Sequence, residues 1–184
     1  MAAQPEEVVL LFSDEVSFYR QPSQAWLWWY TGRRQPCLRY SNRSNTVMRV
    51  LGVLDAWTGR VQAWEYGKIT AGRLARRWRE AAQAYPSARK VYLVVDNWPV
   101  HFHETVLNAL AADPRIELLR LPTYSPWLNN IEKLWRWVKL RVAHAHPWSD
   151  DFNAFRQEVM AELQRASEMP DVRRNRGLLK LFSQ

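Results

Sequence analysis

The sequence predicts a mixed α/β sheet with helices packed on its faces. Three observations lead there. Val8–Phe12 and the VYLVV run within Lys90–Val95 are continuous apolar runs of β-favouring residues, the mark of strands covered on both faces. Between them, Met48–Leu54 and Arg60–Tyr66 flank the turn sequence Asp55-Ala56-Trp57-Thr58-Gly59, which implies antiparallel pairing. From Thr70 onward the apolar spacing becomes helical, interrupted only by short strand-like runs.

Each element has its own signal. Val8–Phe12 runs into Ser13-Asp14-Glu15, so a central strand is expected to end there. Pro22 marks a loop, and Trp26-Leu27-Trp28-Trp29-Tyr30 reads as a second strand closed by Thr31-Gly32. A polar loop carrying Arg33, Arg34, Arg39 and Arg43 leads to the Met48–Leu54 strand. Thr70 caps a helix with Leu74, Trp78, Ala81 and Tyr85 on one face, and Pro86 stops it. A right-handed crossover lays Lys90–Val95 parallel to the first strand. A helix follows over His103–Ala112 with Val106, Leu107 and Leu110 inward, then a strand over Ile116–Leu121. The turn residues Pro122, Ser125 and Pro126 precede a helix whose apolar stripe is Leu128, Ile131, Trp135, Val138 and Val142. Ser149 or Asp150 caps a last helix that buries Phe152, Phe155, Val159 and Leu163. One domain over 1–168 and a basic tail over 169–184 account for the chain.

Composition narrows the function. A net charge of +8 over 184 residues favours a polyanionic partner, DNA or RNA before others. The single Cys37 excludes an internal disulfide and a Cys-rich zinc site. No secretion signal or apolar run of membrane-spanning length is present, so the chain reads as cytoplasmic with no membrane partner. Eleven Trp residues fall mostly in apolar patterns and read as core.

The candidate chemistry lies in three acids. Asp14 and Asp96 are each the first acid after a continuously apolar strand. Were those strands parallel neighbours, both carboxylates would emerge at the carboxyl edge of the sheet, where α/β folds place their sites. Glu132, at the edge of the apolar stripe near a helix start, can reach the same edge. Singly, each has a plainer reading: the aspartates as turn formers, and Glu132 as the partner of Asn129 in a capping box. Together, three acids without Cys or His suit Mg²⁺ or Mn²⁺, and two such ions would clamp an in-line phosphoryl displacement. Glu15 is expected on the opposite strand face as a solvated acid. His101/His103 and His144/His146 read as surface histidines rather than zinc ligands. Arg136 and Lys139 follow Glu132 along its helix and, with Arg33 and Arg34, are candidate phosphate contacts.

Four motifs in this order, SDEVSF at 13–18, Trp28-x-x-x-Gly32, VVDNWPVH at 94–101 and SPWLNNIEKLW at 125–135, resemble the catalytic domain of DDE transposases. The mariner-like branch of bacterial insertion sequences fits best, with 35 residues (97 to 131) between the second and third acids. The resemblance implies a ribonuclease H-like fold, with antiparallel first strands, then parallel ones, and helices on both faces. It implies that Asp14, Asp96 and Glu132 bind two Mg²⁺ or Mn²⁺ ions, nick transposon ends and direct the 3′-OH into target DNA. By the same resemblance Asn97 and His101 contact DNA or orient water, and two copies act as a homodimer on DNA. Asn130 stands where the family commonly has Pro. The family carries helix-turn-helix domains ahead of its catalytic domain; none is expected here, so either a separate helix-turn-helix polypeptide supplies end recognition or the chain is a catalytic fragment or remnant. The alternatives are a ribonuclease H-like nuclease that cuts without joining, or a non-catalytic DNA-binding subunit.

Overall fold

A computed structural model describes residues 7–24, 38–123 and 125–168. The Trp26–Tyr30 strand, Arg33, Arg34 and the 169–184 tail lie outside those residues. Elsewhere the expected elements form in the expected order: β1 (Val8–Tyr19), β2 (Val47–Asp55), β3 (Val61–Tyr66), α1 (Ala71–Gln83), β4 (Lys90–Val95), α2 (Glu104–Ala111), β5 (Ile116–Arg120), α3 (Ile131–Val138) and α4 (Phe152–Glu168). The five strands lie in the order β3-β2-β1-β4-β5, with β1 central. β1, β2 and β3 pair antiparallel, and β4 and β5 run parallel to β1. This is the mixed, ribonuclease H-like sheet that the resemblance implied.

Alternation along β1 distributes the core between two layers. Val9 and Leu11 face one cluster, where Leu74, Trp78 and Ala81 of α1 meet Val106 and Leu110 of α2. Phe12, Val16 and Phe18 face the other, filled by Ile131, Trp135 and Val138 of α3 and by Phe155, Val159 and Leu163 of α4. Helices therefore cover both faces. Thr70 caps α1 through its side-chain oxygen, which accepts from the Arg73 backbone N–H.

β1 departs from its expected boundary. It does not stop at Phe12 but runs on through Ser13, Asp14 and Glu15 to Tyr19, 12 residues in all. β2 pairs with it from Leu11 to Tyr19, whereas β4 pairs only with Val8 to Phe12. The polar triplet looks like a turn in sequence because its partners are distant. Ser13 Oγ accepts from Trp78 Nε1 at 2.8 Å and donates to the Gly52 carbonyl at 3.1 Å. Asp14 Oδ2 accepts from Trp135 Nε1 at 3.1 Å.

Smaller corrections have local causes. Leu107 is exposed because α2 is short and turns only Val106 and Leu110 inward. Leu128 is exposed because it lies in a separate 3₁₀ turn, out of phase with α3. Asp151, not Ser149 or Asp150, caps α4, accepting from the Ala154 N–H. Ser149 is buried with its carbonyl facing Arg20, and Asp150 accepts from the Ser41 hydroxyl. No helix among the described residues is long and apolar enough to cross a membrane.

Gly52 shows how tightly the α3 face is built. It sits directly across from Asp14 in the β1–β2 ladder. A Cβ there would lie 2.3 Å from Cη2 and 2.6 Å from Cζ2 of Trp135, so only glycine admits the indole. Gly52→Ala is expected to destabilise the fold by about 1–3 kcal/mol, the usual cost of overpacking. Chemical denaturation checks this, and unchanged stability would show that the indole can shift freely.

Candidate active site

The short span of β4 creates the cleft. Extending the β1–β4 register by two residues past Phe12↔Val94 brings Asp14 abreast of Asp96, just where the parallel ladder has ended. The ends of β4 and β5 then splay into loops, and α3 closes the other side. Asp14, Asp96 and Glu132 all line the resulting cleft of about 300 Å³, with Asn97, Trp98 and Asn129 beside them. The three acids singled out in the sequence therefore share one opening.

Their environments differ. Asp14 is the most enclosed, only 9% exposed, and rests against the indole of Trp135. Burial, followed by the charges of Glu132, Glu15 and Asp96, pushes its carboxyl up to about 7, and a hydrogen bond from the Glu15 backbone opposes only part of that rise. Asp96 is half-exposed and accepts from the Trp98 N–H at 2.9 Å, an Asx turn that opens the Pro99–Phe102 3₁₀ segment. Glu132 is exposed at the start of α3. It serves no capping box: Asn130 is the N-cap and makes no side-chain cap bond. The Glu132 carboxylate is left to the cleft.

The donor set fits a hard divalent cation. Three carboxylates face one cleft, none of them paired with Lys or Arg among the described residues. The raised Asp14 carboxyl reflects burial first and repulsion from its acidic neighbours second, and a cation in the cleft would offset both. Among the described residues, no three such side chains are gathered into a finished cage. The exposed Glu132 has the rotamer freedom to swing toward the aspartates.

Other expected residues fall into distinct groups. Arg136 and Lys139 line a basic groove of about 570 Å³ together with Lys133, and Glu132 and Asn129 border both this groove and the acidic cleft. Neither cation has an ion-pair partner among the described residues, unlike Arg141, which is engaged by the buried Glu162. Asn97 instead ties the ends of β4 and β5 together, donating to the Leu121 carbonyl at 2.9 Å and the Thr123 hydroxyl at 3.3 Å.

Three expectations of exposure fail. His101 is no DNA-facing loop residue: it is 1% exposed, with Nδ1 3.0 Å from Asp96 Oδ1 and Nε2 3.3 Å from Glu15 Oε1. Glu15 does take the opposite face of β1, yet it is largely buried against that imidazole rather than solvated. Burial pushes the His101 ring down, but the Glu15 hydrogen bond and the two acidic neighbours outweigh it and hold the ring above its ordinary value. His146 is also buried, stacked 4.3 Å from Phe155. Sequence reasoning missed Trp135 and Gly52 as parts of the site, since one reads as core and the other as an ordinary strand residue.

Known proteins share this arrangement of elements. A family model described as DDE superfamily endonuclease matches residues 9–154. The insertion element IS630 uncharacterized 39 kDa protein of Shigella sonnei is 23% identical over 140 residues, which are 76% of this chain and 40% of that protein. The Mos1 transposase paired-end complex with left transposon end superposes with a TM-score of 0.65 at 19% identity, covering 94% of this chain and 52% of that one. The Mos1 transposase catalytic domain with Raltegravir and Mn gives 0.61 at 16% identity, covering 94% and 76%. The chain thus spans less than half of the insertion-element protein and about half of the longer Mos1 chain. At these identities the structural likenesses establish the fold. The family match takes in Asp14, Asp96 and Glu132 and most of the chain: the chain belongs to the DDE superfamily endonucleases.

Proposed function

We propose that residues 1–168 form the catalytic domain of a mariner-like DDE transposase that nicks transposon ends and joins the freed 3′-OH to target DNA. One observation carries this reading: Asp14, Asp96 and Glu132, from three separate parts of the chain, line a single cleft. The likeness to transposases solved on DNA and with Mn or Mg supports DNA as partner and a divalent metal as cofactor. Asp14 and Asp96 would hold the metal ions, with Glu132 completing the set. Two Mg²⁺ or Mn²⁺ ions would supply charge neutralisation at the phosphate and a more reactive attacking oxygen.

The chain's own residues have separable tasks. Trp135 fixes the Asp14 carboxylate through Nε1, and Gly52 gives that indole its place. Arg136 and Lys139 draw the phosphate backbone along the groove toward Glu132. Asn97 keeps the floor of the cleft rigid by joining two loop ends. Homodimerisation on DNA, a separate helix-turn-helix polypeptide for end recognition and a role for the 169–184 tail complete the reading.

Incubation with supercoiled plasmid tests it: nicking is expected with Mn²⁺ and not without. Asp14→Asn, Asp96→Asn and Glu132→Gln should each lower the rate at least about 10³-fold, with metal-free DNA affinity retained. Wild-type nicking by the triple variant would reject the assignment. Pre-cleaved ends offered to a target plasmid separate joining from cutting alone.

Asp14 yields an opposite prediction for stability. Its carboxyl titrates at about 7 in the fold against 3.8 in the unfolded chain, so the folded state binds the extra proton between those values. Stability of the metal-free protein must therefore fall as pH rises through that window and stay low above it. Asp14→Asn keeps an acceptor for Trp135 and carries no charge. In metal-free buffer above about pH 7 it should be more stable than wild type by about 1–4 kcal/mol, a gap that closes toward pH 4. Melting curves across pH read this directly; a less stable variant at high pH would show that the carboxylate is structurally satisfied.

For the groove, Arg136→Ala with Lys139→Ala should flatten the dependence of log affinity on log salt by roughly 2, about one for each phosphate no longer neutralised. An unchanged slope would remove both residues from the interface.

A further inference from the structure

Glu15 poses a problem that the proposed chemistry leaves open. β1 turns it away from the acidic cleft, into the layer covered by α1 and α2, where its side chain is only 17% exposed and, among the described residues, meets neither Lys nor Arg. Burying a carboxylate there is costly unless something distinct compensates it. Its partner is His101, held in the Pro99–Phe102 segment between the rings of Trp78 at 5.3 Å and Trp98 at 5.4 Å. The other ring nitrogen hydrogen-bonds the Asp96 backbone carbonyl at 3.3 Å and lies 3.0 Å from Asp96 Oδ1, which itself accepts from the Trp98 N–H at 2.9 Å. Asp96 is thus anchored by the imidazole through its main chain and by a close approach to Oδ1, and Oδ1 is held by the Trp98 N–H, while Oδ2 has no hydrogen bond among the described residues.

We infer that Glu15 and His101 are a positioning pair, in which Glu15 fixes the imidazole and the imidazole fixes the half-exposed Asp96 carboxylate with one oxygen free for a cation. The inference rests on the metal-dependent reading above. An exposed aspartate otherwise samples several rotamers, and a ligand must lose that freedom when it binds. Here the loss is built into the fold by two aromatic walls and a buried acid. Histidine–carboxylate couples that orient metal ligands commonly contribute 10- to 100-fold in metal affinity or rate. Asp14 receives the equivalent service from Trp135 on the opposite face of the sheet. Trp135 and the Glu15–His101 pair therefore serve the two aspartates from opposite faces of the sheet.

The test compares Glu15→Gln, His101→Asn and the double variant in the full chain. Mn²⁺ binding is measured by calorimetry without DNA, melting by circular dichroism, and plasmid nicking as kcat and KM. Each single variant should bind Mn²⁺ about 10- to 100-fold more weakly and lose kcat to match, with KM for DNA unchanged. Because Glu15 acts through His101, the double variant should be no worse than His101→Asn. Mn²⁺ affinity within about twofold of wild type in a folded Glu15→Gln protein overturns the inference, as does a double variant showing the two losses multiplied. Glu15→Gln preserves volume and an acceptor, so it decides the matter even where His101→Asn fails to fold. A wild-type protein that binds no Mn²⁺ overturns the functional reading and this inference with it, an outcome distinct from defects confined to the variants.

Discussion

The central strand outruns its parallel neighbour, and the rest of the site depends on that mismatch. β4 stops at Val95 while β1 continues to Tyr19, still paired with β2. Beyond Phe12 one side of β1 is bonded and the other opens into the cleft. Asp14 is then rigid, because its backbone belongs to a ladder, and yet accessible, because the adjacent ladder has ended. Rigid support beside an opening is what a site for pre-positioned charge requires.

Enclosing a carboxylate at the end of a core has a cost, and indoles offset part of it. Trp78 and Trp135 bury large apolar surfaces in opposite layers and each offers one N–H to β1, to Ser13 and Asp14 respectively. Tryptophan combines the volume that fills the layer with the donor that a neighbouring polar atom needs. Gly52 is the complement: by lacking a side chain opposite Asp14 it leaves room for the Trp135 ring. The bonds do not remove the penalty, since the Asp14 carboxyl remains well above the ordinary carboxylate range. A penalty of this kind is one that a bound cation would relieve.

Charge is arranged by gradient. The cleft is acidic, and the adjoining groove is basic through Lys133, Arg136 and Lys139, with Glu132 at the border of both. A polyanion attracted to the groove would meet carboxylates at its end, tolerable when divalent cations neutralise them. α3 supplies both signs from one surface because Glu132, Arg136 and Lys139 succeed one another at spacings of four and three.

Strand and helix order, the three acids and the basic face of α3 are legible in the chain, because alternation, helical spacing and local capping are short-range signals. Thr70 and the Lys90–Val95 run show this best, each forming what its neighbours in sequence require. The continuation of β1 through Ser13-Asp14-Glu15 is not legible, since the groups that satisfy those polar residues arrive from 39 to 121 positions away. The same holds for Glu15, which reads as a solvated acid, and for His101, which reads as a surface residue. Sequence by itself determined which side chains carry charge and which face of each element they occupy. Only the tertiary structure decided which of those charges are buried together, because burial depends on distant chain segments that no local pattern records.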